Sequence, residues 1–169
     1  TPHMGMVSAF EWSPDSREIA FTETGLEAHE FVEADLKVVT RTGKLRSLIG
    51  NQILNLAFWT NDGKQLGIIS PPKGMACQNQ LLLINAHGGI PRSRTTRLDL
   101  MVGGALQISS PARTLQSVQC SADGKFAYVP VSAGGEQRIY QIALAGKENC
   151  KELLGGQRVC HLLEGNDRH

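Results

Sequence analysis

The amino-acid sequence predicts an all-β fold, because one strand–turn–strand pattern occurs three times along its 169 residues. Each copy consists of an apolar run, a short polar turn that contains an aspartate, and a second apolar run. The three aspartates, Asp15, Asp62 and Asp123, recur at intervals of roughly 45 to 60 residues, and repeats of about this length that hold several short strands are typical of β-propeller blades. No long stretch shows the apolar periodicity of an amphipathic helix.

The repeated turn explains why the same residue types return. An aspartate side chain accepts hydrogen bonds from backbone amides within a tight turn, and a glycine adopts a positive φ without steric cost. Matching positions in successive blades lie on separate sheets, so the aspartates are not expected to form a metal or acid–base site. The structural turn residues that we predict are Asp15, Asp62, Asp123, Gly63 and Gly124.

The composition is that of an ordinary globular protein, with 41% hydrophobic and 20% charged residues. A formal net charge of +1 gives no electrostatic reason to bind nucleic acid or an anionic membrane. No apolar run approaches the roughly 20 residues of a transmembrane helix. The first six residues lack the basic and apolar regions of a signal peptide. We therefore expect a cytoplasmic protein with no cofactor and with no nucleic-acid or membrane partner.

The first predicted blade covers residues 5–50. An acidic connection over 23–34 separates its second and third strands, and a turn at 42–44 separates its third and fourth. Four antiparallel strands in about 45 residues make one blade. The strands are predicted at residues 7–12, 18–22, 35–41 and 45–49.

The second predicted blade covers residues 51–97. Pro71 and Pro72 end its second strand, because proline has no amide to donate to a β-ladder. The continuous apolar run at 81–84 predicts a third strand that packs on both faces. The four strands are predicted at residues 53–59, 65–70, 80–85 and 90–96.

The third predicted blade covers residues 113–156, after an insertion over 98–112 that includes a candidate extra strand at 98–102. Residues 157–169 are predicted to start a further blade. The strands of the third blade are predicted at residues 114–121, 125–132, 138–144 and 150–154. The chain is therefore expected to form a propeller segment of about three four-stranded antiparallel blades. Three blades do not close a ring, so we expect completion by another copy or by further chain.

The four cysteines are Cys77, Cys120, Cys150 and Cys160, and none is part of a Cys-x-x-Cys pair. We interpret them as free thiols in a reducing compartment, with Cys120 acting as a small apolar side chain. A disulfide between Cys150 and Cys160 stays open as an alternative. A zinc site of Cys150, Cys160 and His161 is disfavoured, because the spacing matches no usual ligand pattern.

The repeats resemble the Pro-Asp type of β-propeller blade, on the evidence of three segments. These are Ser13-Pro14-Asp15-Ser16, Asn61-Asp62-Gly63-Lys64 and Ser121-Ala122-Asp123-Gly124-Lys125. Such blades occur in TolB-like proteins and in the propeller domains of prolyl oligopeptidase family serine peptidases, including acylaminoacyl peptidases. The resemblance implies a propeller that limits access to a separate hydrolase domain and does no bond chemistry itself. That hydrolase domain is not in this sequence.

The segment His87-Gly88-Gly89 is similar to the oxyanion loop of esterases. That loop works with a Gly-x-Ser-x-Gly nucleophile elbow, and the sequence contains no such pentapeptide. The segment also follows the third strand of its repeat, where a turn is required. We therefore predict a turn at 87–89 and no catalytic residue.

The acidic connection of the first blade contains His29-Glu30-x-x-Glu33, which lacks the second histidine of a zinc peptidase helix. A solvated loop is the simpler interpretation, and we predict no metal site. In some relatives, acidic residues on a blade insertion bind the amino terminus of a peptide. By that resemblance, the candidate substrate-binding residues are Glu27, Glu30 and Glu33.

Two further sets of residues have alternative interpretations. Trp12 and Trp59 hold matching positions in two repeats, which favours packing between blades over stacking on a ligand. Arg92, Arg94 and Arg97 alternate along one strand and its exit. They form either a basic stripe for an anionic partner or the solvent face of an outer strand.

Three functions remain open at this point. We favour a non-catalytic propeller segment of a prolyl-oligopeptidase-like serine peptidase, which gates or positions peptide substrates. One alternative is a TolB-like scaffold that binds a protein or a peptide. The other is a partial propeller that closes by self-association, because paired copies cover exposed strand edges and apolar faces.

Overall fold

The structure is a computed structural model, and it describes residues 5–25, 33–72, 78–103 and 118–156. These residues form thirteen β-strands and no helix. The strands make three antiparallel sheets, two of four strands and one of five. The predicted all-β fold of three propeller-type sheets is therefore confirmed. Among the described residues there is no helix with the length and apolar character to cross a membrane.

Sheet 1 is a simple meander in which each strand pairs with the next one along the chain. Its strands are β1 (Gly5–Trp12), β2 (Glu18–Gly25), β3 (Ala34–Thr40) and β4 (Leu45–Gln52). One row of paired residues crosses all four strands, formed by Trp12, Ile19, Val39 and Leu45. Because side chains alternate across a strand, this row lies on one face of the sheet.

Sheet 2 repeats the meander with β5 (Asn55–Trp59), β6 (Gln65–Ser70), β7 (Gln80–Asn85) and β8 (Arg92–Ser93). The fourth strand is much shorter than the predicted 90–96. Pro91 has no amide to donate, and the buried Thr95 hydroxyl accepts a hydrogen bond from the Leu81 amide at 3.0 Å. A side chain thus replaces a backbone group of the β-ladder, and the strand ends.

Sheet 3 contains β10 (Gln119–Cys120), β11 (Phe126–Ala133), β12 (Glu136–Ala143) and β13 (Cys150–Leu154), joined by β9 (Met101–Val102). The short β9 pairs with β11 through Val102 and Val131. It covers only the last two residues of the candidate extra strand at 98–102, and it joins the third sheet. Residues 104–117 and 157–169 lie outside the described residues, so the exact limits of the insertion and the further blade stay predictions.

Two hydrophobic cores lie on either side of sheet 2. The first core joins sheets 1 and 2 and includes Ala20, Leu36, Val38, Leu56, Leu66, Ile68 and Ile84. The second core joins sheets 2 and 3 and includes Phe58, Ile69, Leu81, Leu83, Val102, Val129, Val131 and Ile142. All four residues of the 81–84 run are buried, which confirms the prediction that β7 packs on both faces. Each fully buried side chain of this size stabilises the fold by roughly 1.5–3 kcal/mol.

The face of sheet 1 that points away from sheet 2 has apolar side chains in contact with solvent around Trp12, and the ion-paired Glu23, Asp35 and Lys37 farther along the same strands. We call it the outer face. Phe10, Trp12 and Leu45 are 63%, 52% and 55% exposed there, and neighbouring apolar side chains are only half-buried. These partly covered neighbours are Ile19, Phe21 and Val39. The outer face therefore presents the residue types that elsewhere fill the spaces between sheets.

Candidate functional site

The same polar turn joins the first two strands of each repeat. In the first turn, Asp15 Oδ1 accepts hydrogen bonds from Ser13 Oγ at 2.7 Å and from the Arg17 amide at 3.1 Å. The other two aspartates accept equivalent pairs of hydrogen bonds. Asp62 accepts from Thr60 Oγ1 and the Lys64 amide, and Asp123 accepts from Ser121 Oγ and the Lys125 amide. Each aspartate thus holds its own turn closed.

These hydrogen bonds favour the charged form of each carboxyl group. The pKa of Asp15 is lowered mainly by the Ser13 hydroxyl, and the pKa of Asp62 mainly by the Lys64 amide. The Ser121 hydroxyl is the main cause that lowers the pKa of Asp123 to about 2. The described residues contain no cluster of three His, Cys, Asp or Glu side chains suited to a metal ion.

The turns need a residue with a positive φ directly after the aspartate. Gly63 and Gly124 both have φ of +67°, and Ser16 holds the same place in the first turn with φ of +57°. In each case the residue donates its amide at 2.8 Å to the carbonyl three positions earlier. Ser16 in the first turn is therefore the one non-glycine residue among these three that has a left-handed backbone conformation.

The turns between first and second strands and those between third and fourth strands lie at the same end of each antiparallel sheet. Between the turns of sheets 1 and 2 is a cavity of about 510 Å³, which we call the turn cavity. Its lining residues are Asp15, Arg17, Glu18, Thr40, Arg41, Thr42, Gly63, Ala86 and His87. A second cavity of about 340 Å³ lies beside it and shares Asp15, Glu18 and Gly63. The sequence analysis did not predict either cavity.

One carboxylate of the turn cavity is fully engaged within the protein. Glu18 accepts two hydrogen bonds from Arg46, each of 2.6 Å, and this pairing is the main cause that lowers the pKa of Glu18. Arg46 Nε also donates to the Ala86 carbonyl at 3.1 Å. Arg46 therefore joins the outer strand of sheet 1 to the last turn of sheet 2.

The cationic side chains of the turn cavity are less engaged. The Arg41 amide donates to the Arg17 carbonyl at 3.0 Å, so the two residues sit side by side. The Arg17 guanidinium lies 3.8 Å from Asp15 Oδ2 and is 82% exposed. Arg41 is exposed, and its guanidinium forms no ion pair with any described carboxylate. The cavity is thus suited to binding an anionic group.

The described thiols are poorly suited to nucleophilic chemistry. Cys120 and Cys150 are free, and burial raises the pKa of both, that of Cys120 to about 11. A thiol with a raised pKa is seldom the reactive thiolate near neutral pH. Cys77, Cys160 and His161 lie outside the described residues, so the alternative disulfide and zinc site stay untested.

The other residues singled out by sequence fall in different places. Glu27 and Glu30 lie outside the described residues, whereas Glu33 is exposed just before β3. The segment at 87–89 forms the predicted turn, in which the Gly88 amide donates to the Asn85 carbonyl at 2.9 Å. Among the described residues, Glu33 does not line the turn cavity.

The arginines of the second repeat do not form a uniform basic stripe. Arg94 donates to the carbonyls of Ala143, Gly146 and Ala145 at 2.9, 3.1 and 3.1 Å, so it binds the last turn of sheet 3. Arg92 and Arg97 are exposed. Arg94 therefore fits neither the basic-stripe nor the solvent-face interpretation, and it joins two sheets as Arg46 does.

Comparison with solved structures identifies the architecture. The β-propeller domain of the Trilobed protease from Pyrococcus furiosus superposes with a TM-score of 0.55 at 13% identity, over 89% of this chain and 56% of that one. The fold is that of a β-propeller domain. Its three sheets are therefore propeller blades, and sheets 1, 2 and 3 are called blades 1, 2 and 3 below.

Two other solved structures resemble these blades more strongly. A prolyl endopeptidase matches with a TM-score of 0.63 at 16% identity, over 90% of this chain and 22% of that one. TolB from Acinetobacter baumannii matches with a TM-score of 0.61 at 16% identity, over 87% of this chain and 32% of that one. The predicted resemblance to TolB-like and prolyl oligopeptidase propellers is confirmed for the fold. No family model and no curated protein matches the sequence.

Proposed function

We propose that this chain is a non-catalytic propeller segment of a prolyl-oligopeptidase-like serine peptidase, which gates or positions peptide substrates. The observation that carries the proposal is the outer face of blade 1. Trp12 holds there the position that Trp59 holds in blade 2, at the end of the first strand opposite the second residue of the second strand, Ile19 in blade 1 and Leu66 in blade 2. Trp59 is buried between blades whereas Trp12 is 52% exposed.

The matching tryptophans support a segment that works within a larger assembly. On the outer face, Trp12, Ile19 and Val39 stand where Trp59, Leu66 and Ile84 fill the space between blades 1 and 2. Lys37 stands where Leu82 does, so the apolar part of the outer face is its end around Trp12. Burying a contiguous apolar surface of this kind is favourable, and such patches mark interaction surfaces in soluble proteins. A propeller segment next to further blades and a hydrolase domain accounts for both the exposed face and the similarity to a prolyl endopeptidase.

The described side chains support different roles for the propeller segment and for a separate hydrolase domain. The turn aspartates are engaged in closing their own turns, and the described thiols have raised pKa values. The segment would therefore supply shape and binding groups, while a separate serine hydrolase domain would break the peptide bond. Glu27, Glu30 and Glu33 remain proposed contacts for the amino terminus of the substrate.

The test uses the longest natural gene product that contains this segment. We expect a fluorophosphonate probe to label one serine of that protein, and we expect the protein to cleave a short peptide but not the same sequence within a folded protein. Replacing Trp59 with Ala should loosen the blades and raise cleavage of longer peptides relative to short ones. Absence of labelling, together with absence of cleavage, would overturn the peptidase assignment.

A TolB-like scaffold or a self-associating partial propeller is the second candidate. The similarity to TolB, with a TM-score of 0.61, is nearly as high as that to the prolyl endopeptidase. The exposed outer face is equally suited to a second copy of this chain. A Gly-x-Ser-x-Gly motif in the same gene would favour the peptidase, whereas a stable dimer of the 169-residue chain would favour self-association.

A further inference from the structure

The turn cavity contains a cation that the propeller turn does not require. In all three blades, the residue after the third strand donates its backbone amide to the carbonyl of the residue before the second strand. The donor–acceptor pairs are Arg41–Arg17, Ala86–Lys64 and Leu144–Lys125, at 3.0, 2.9 and 2.9 Å. Ala86 and Leu144 are buried apolar residues, with 3% and 7% exposure. Arg41 is an exposed cation at the equivalent place. Folding of the blade therefore does not explain an arginine here.

The charges around the cavity leave this cation without a counter-ion among the described residues. Both oxygens of Glu18 are bound by Arg46. Asp15 Oδ1 is bound by the Ser13 hydroxyl and the Arg17 amide, and Asp15 Oδ2 lies 3.8 Å from the Arg17 guanidinium. Like charges on neighbouring strands repel each other, and a bound anion offsets this repulsion. Arg41 thus stands beside the exposed Arg17–Asp15 ion pair as a cation with no carboxylate partner among the described residues.

The surrounding groups suit a carboxylate. A guanidinium presents a planar fork of donors that matches the two oxygens of a carboxylate. The Thr40 and Thr42 hydroxyls lie 2.9 Å apart on the same turn and line the cavity, and His87 also lines it, from the turn of blade 2. A volume of about 510 Å³ lies within the range of small-molecule sites, roughly 300–1,000 Å³. It therefore admits more than a bare ion.

We propose that the turn cavity binds a carboxylate group of a peptide through Arg41 and Arg17, a role that rests on the proposed peptide-binding function. The carboxylate comes either from a free peptide carboxyl terminus or from an aspartate or glutamate side chain. Both sources present the same two oxygens to the arginine pair, so the choice of probe distinguishes them.

The test measures fluorescence anisotropy of three labelled probes with the 169-residue chain. The probes are an alanine peptide with a free carboxyl terminus, the same peptide as its amide, and an amide peptide that contains one aspartate. We expect at least one carboxylate probe to bind about tenfold or more tightly than the alanine amide, as charge-assisted hydrogen bonds imply. The preferred probe identifies the source of the carboxylate.

Substitutions of the lining arginines then test whether the carboxylate probe binds in the turn cavity. R41Q and R17Q should each lower the affinity for the carboxylate probe about tenfold and leave the affinity for the amide probe unchanged. R41K should retain part of the affinity, because it keeps the charge and loses the fork. K147Q is the matched control, since it removes one exposed cation from the last turn of blade 3. Circular dichroism melting of each variant shows that its fold is intact.

Two results would overturn the site. One is equal affinity for the acid and amide probes, including no binding of either, and the other is carboxylate binding that R41Q and R17Q do not change. Amide binding without a carboxylate preference would leave the proposed peptide-binding function standing. Carboxylate binding in the cavity, combined with a gene product that no fluorophosphonate labels and that cleaves no peptide, would uphold the site and overturn the peptidase assignment.

Discussion

The indole Nε1 of Trp59 donates a hydrogen bond to the backbone carbonyl of Glu11, 3.1 Å away, and thereby joins blade 2 to blade 1. The Trp59 ring is buried in the core between the same two blades. A side chain with a large apolar body and one polar atom is well suited to such a boundary. Contacts between blades, rather than within them, are therefore the first target for mutation.

Replacing Trp59 with Ala should lower the free energy of unfolding by about 3–5 kcal/mol, because it leaves a cavity between two sheets. Trp59→Phe removes the hydrogen bond to Glu11 but keeps much of the ring. It should therefore cost less, although the Glu11 carbonyl loses a partner. Urea unfolding followed by circular dichroism measures both. The matched control is Trp12→Ala on the exposed outer face, and an equal loss there would contradict the account.

Arg94 should contribute to stability far more than its neighbour Arg92. Its guanidinium binds three carbonyls in the last turn of blade 3, whereas Arg92 is exposed. We expect Arg94→Gln to lower the free energy of unfolding by about 1–2 kcal/mol, as hydrogen bonds from a charged group imply. Arg92→Gln should change it by less than about 0.5 kcal/mol. Similar values for both variants would argue against a link between blades 2 and 3.

Gly63→Ala should destabilise the protein by about 1–2 kcal/mol, since Gly63 has φ of +67° and an alanine is strained there. A Cβ at this position meets only the Pro14 ring at 3.8 Å, so the backbone conformation is the cause rather than crowding. Gly25→Ala is the control, because a Cβ there meets nothing within 4 Å and its φ is not positive. Thermal melting compares the two variants.

The turn aspartates should make stability depend on pH in the acid range. Their pKa values are lowered in the folded state, that of Asp123 from 3.8 to about 2. Such groups contribute stability above the unfolded pKa and lose it as the pH falls through the folded pKa. We therefore expect the urea midpoint to fall between about pH 4 and pH 2.

The Asp123→Asn variant tests this assignment. It should be less stable than the parent near neutral pH and should show a smaller loss of stability on acidification, because one linked group is gone. Asp99→Asn, at an exposed position between β8 and β9, serves as the control for charge removal. A parent protein whose urea midpoint is flat across this pH range would contradict the proposed role of the turn hydrogen bonds.

The residues of the turns made the limits of several strands predictable from the sequence. The strands at 65–70, 80–85 and 150–154 match the predicted limits, because turns with Asp or Gly and the Pro71-Pro72 pair mark where apolar runs begin or end. The predicted strand at 90–96 was too long, since the buried Thr95 hydroxyl takes over a ladder bond from a different part of the chain. Local sequence does not reveal such a contact.

The candidate site was harder to predict than the fold. Arg41 could have been found by aligning the three repeats, since Ala86 and Leu144 stand at its position. The cavity itself depends on how blade 2 is placed against blade 1, and repeat spacing carries no information on that distance. The same limit applies to Arg94 and to Trp12, whose surroundings are set by contacts between sheets.

Solution mass and binding of an apolar dye both report on whether the outer face of blade 1 is an interblade surface. We expect the 169-residue chain to associate as its concentration rises and to bind the dye. Trp12→Glu should lower both signals, whereas Ile90→Glu, at an 89% exposed position outside the outer face, should leave them unchanged. A chain that stays monomeric at every concentration and binds no dye would contradict the claim.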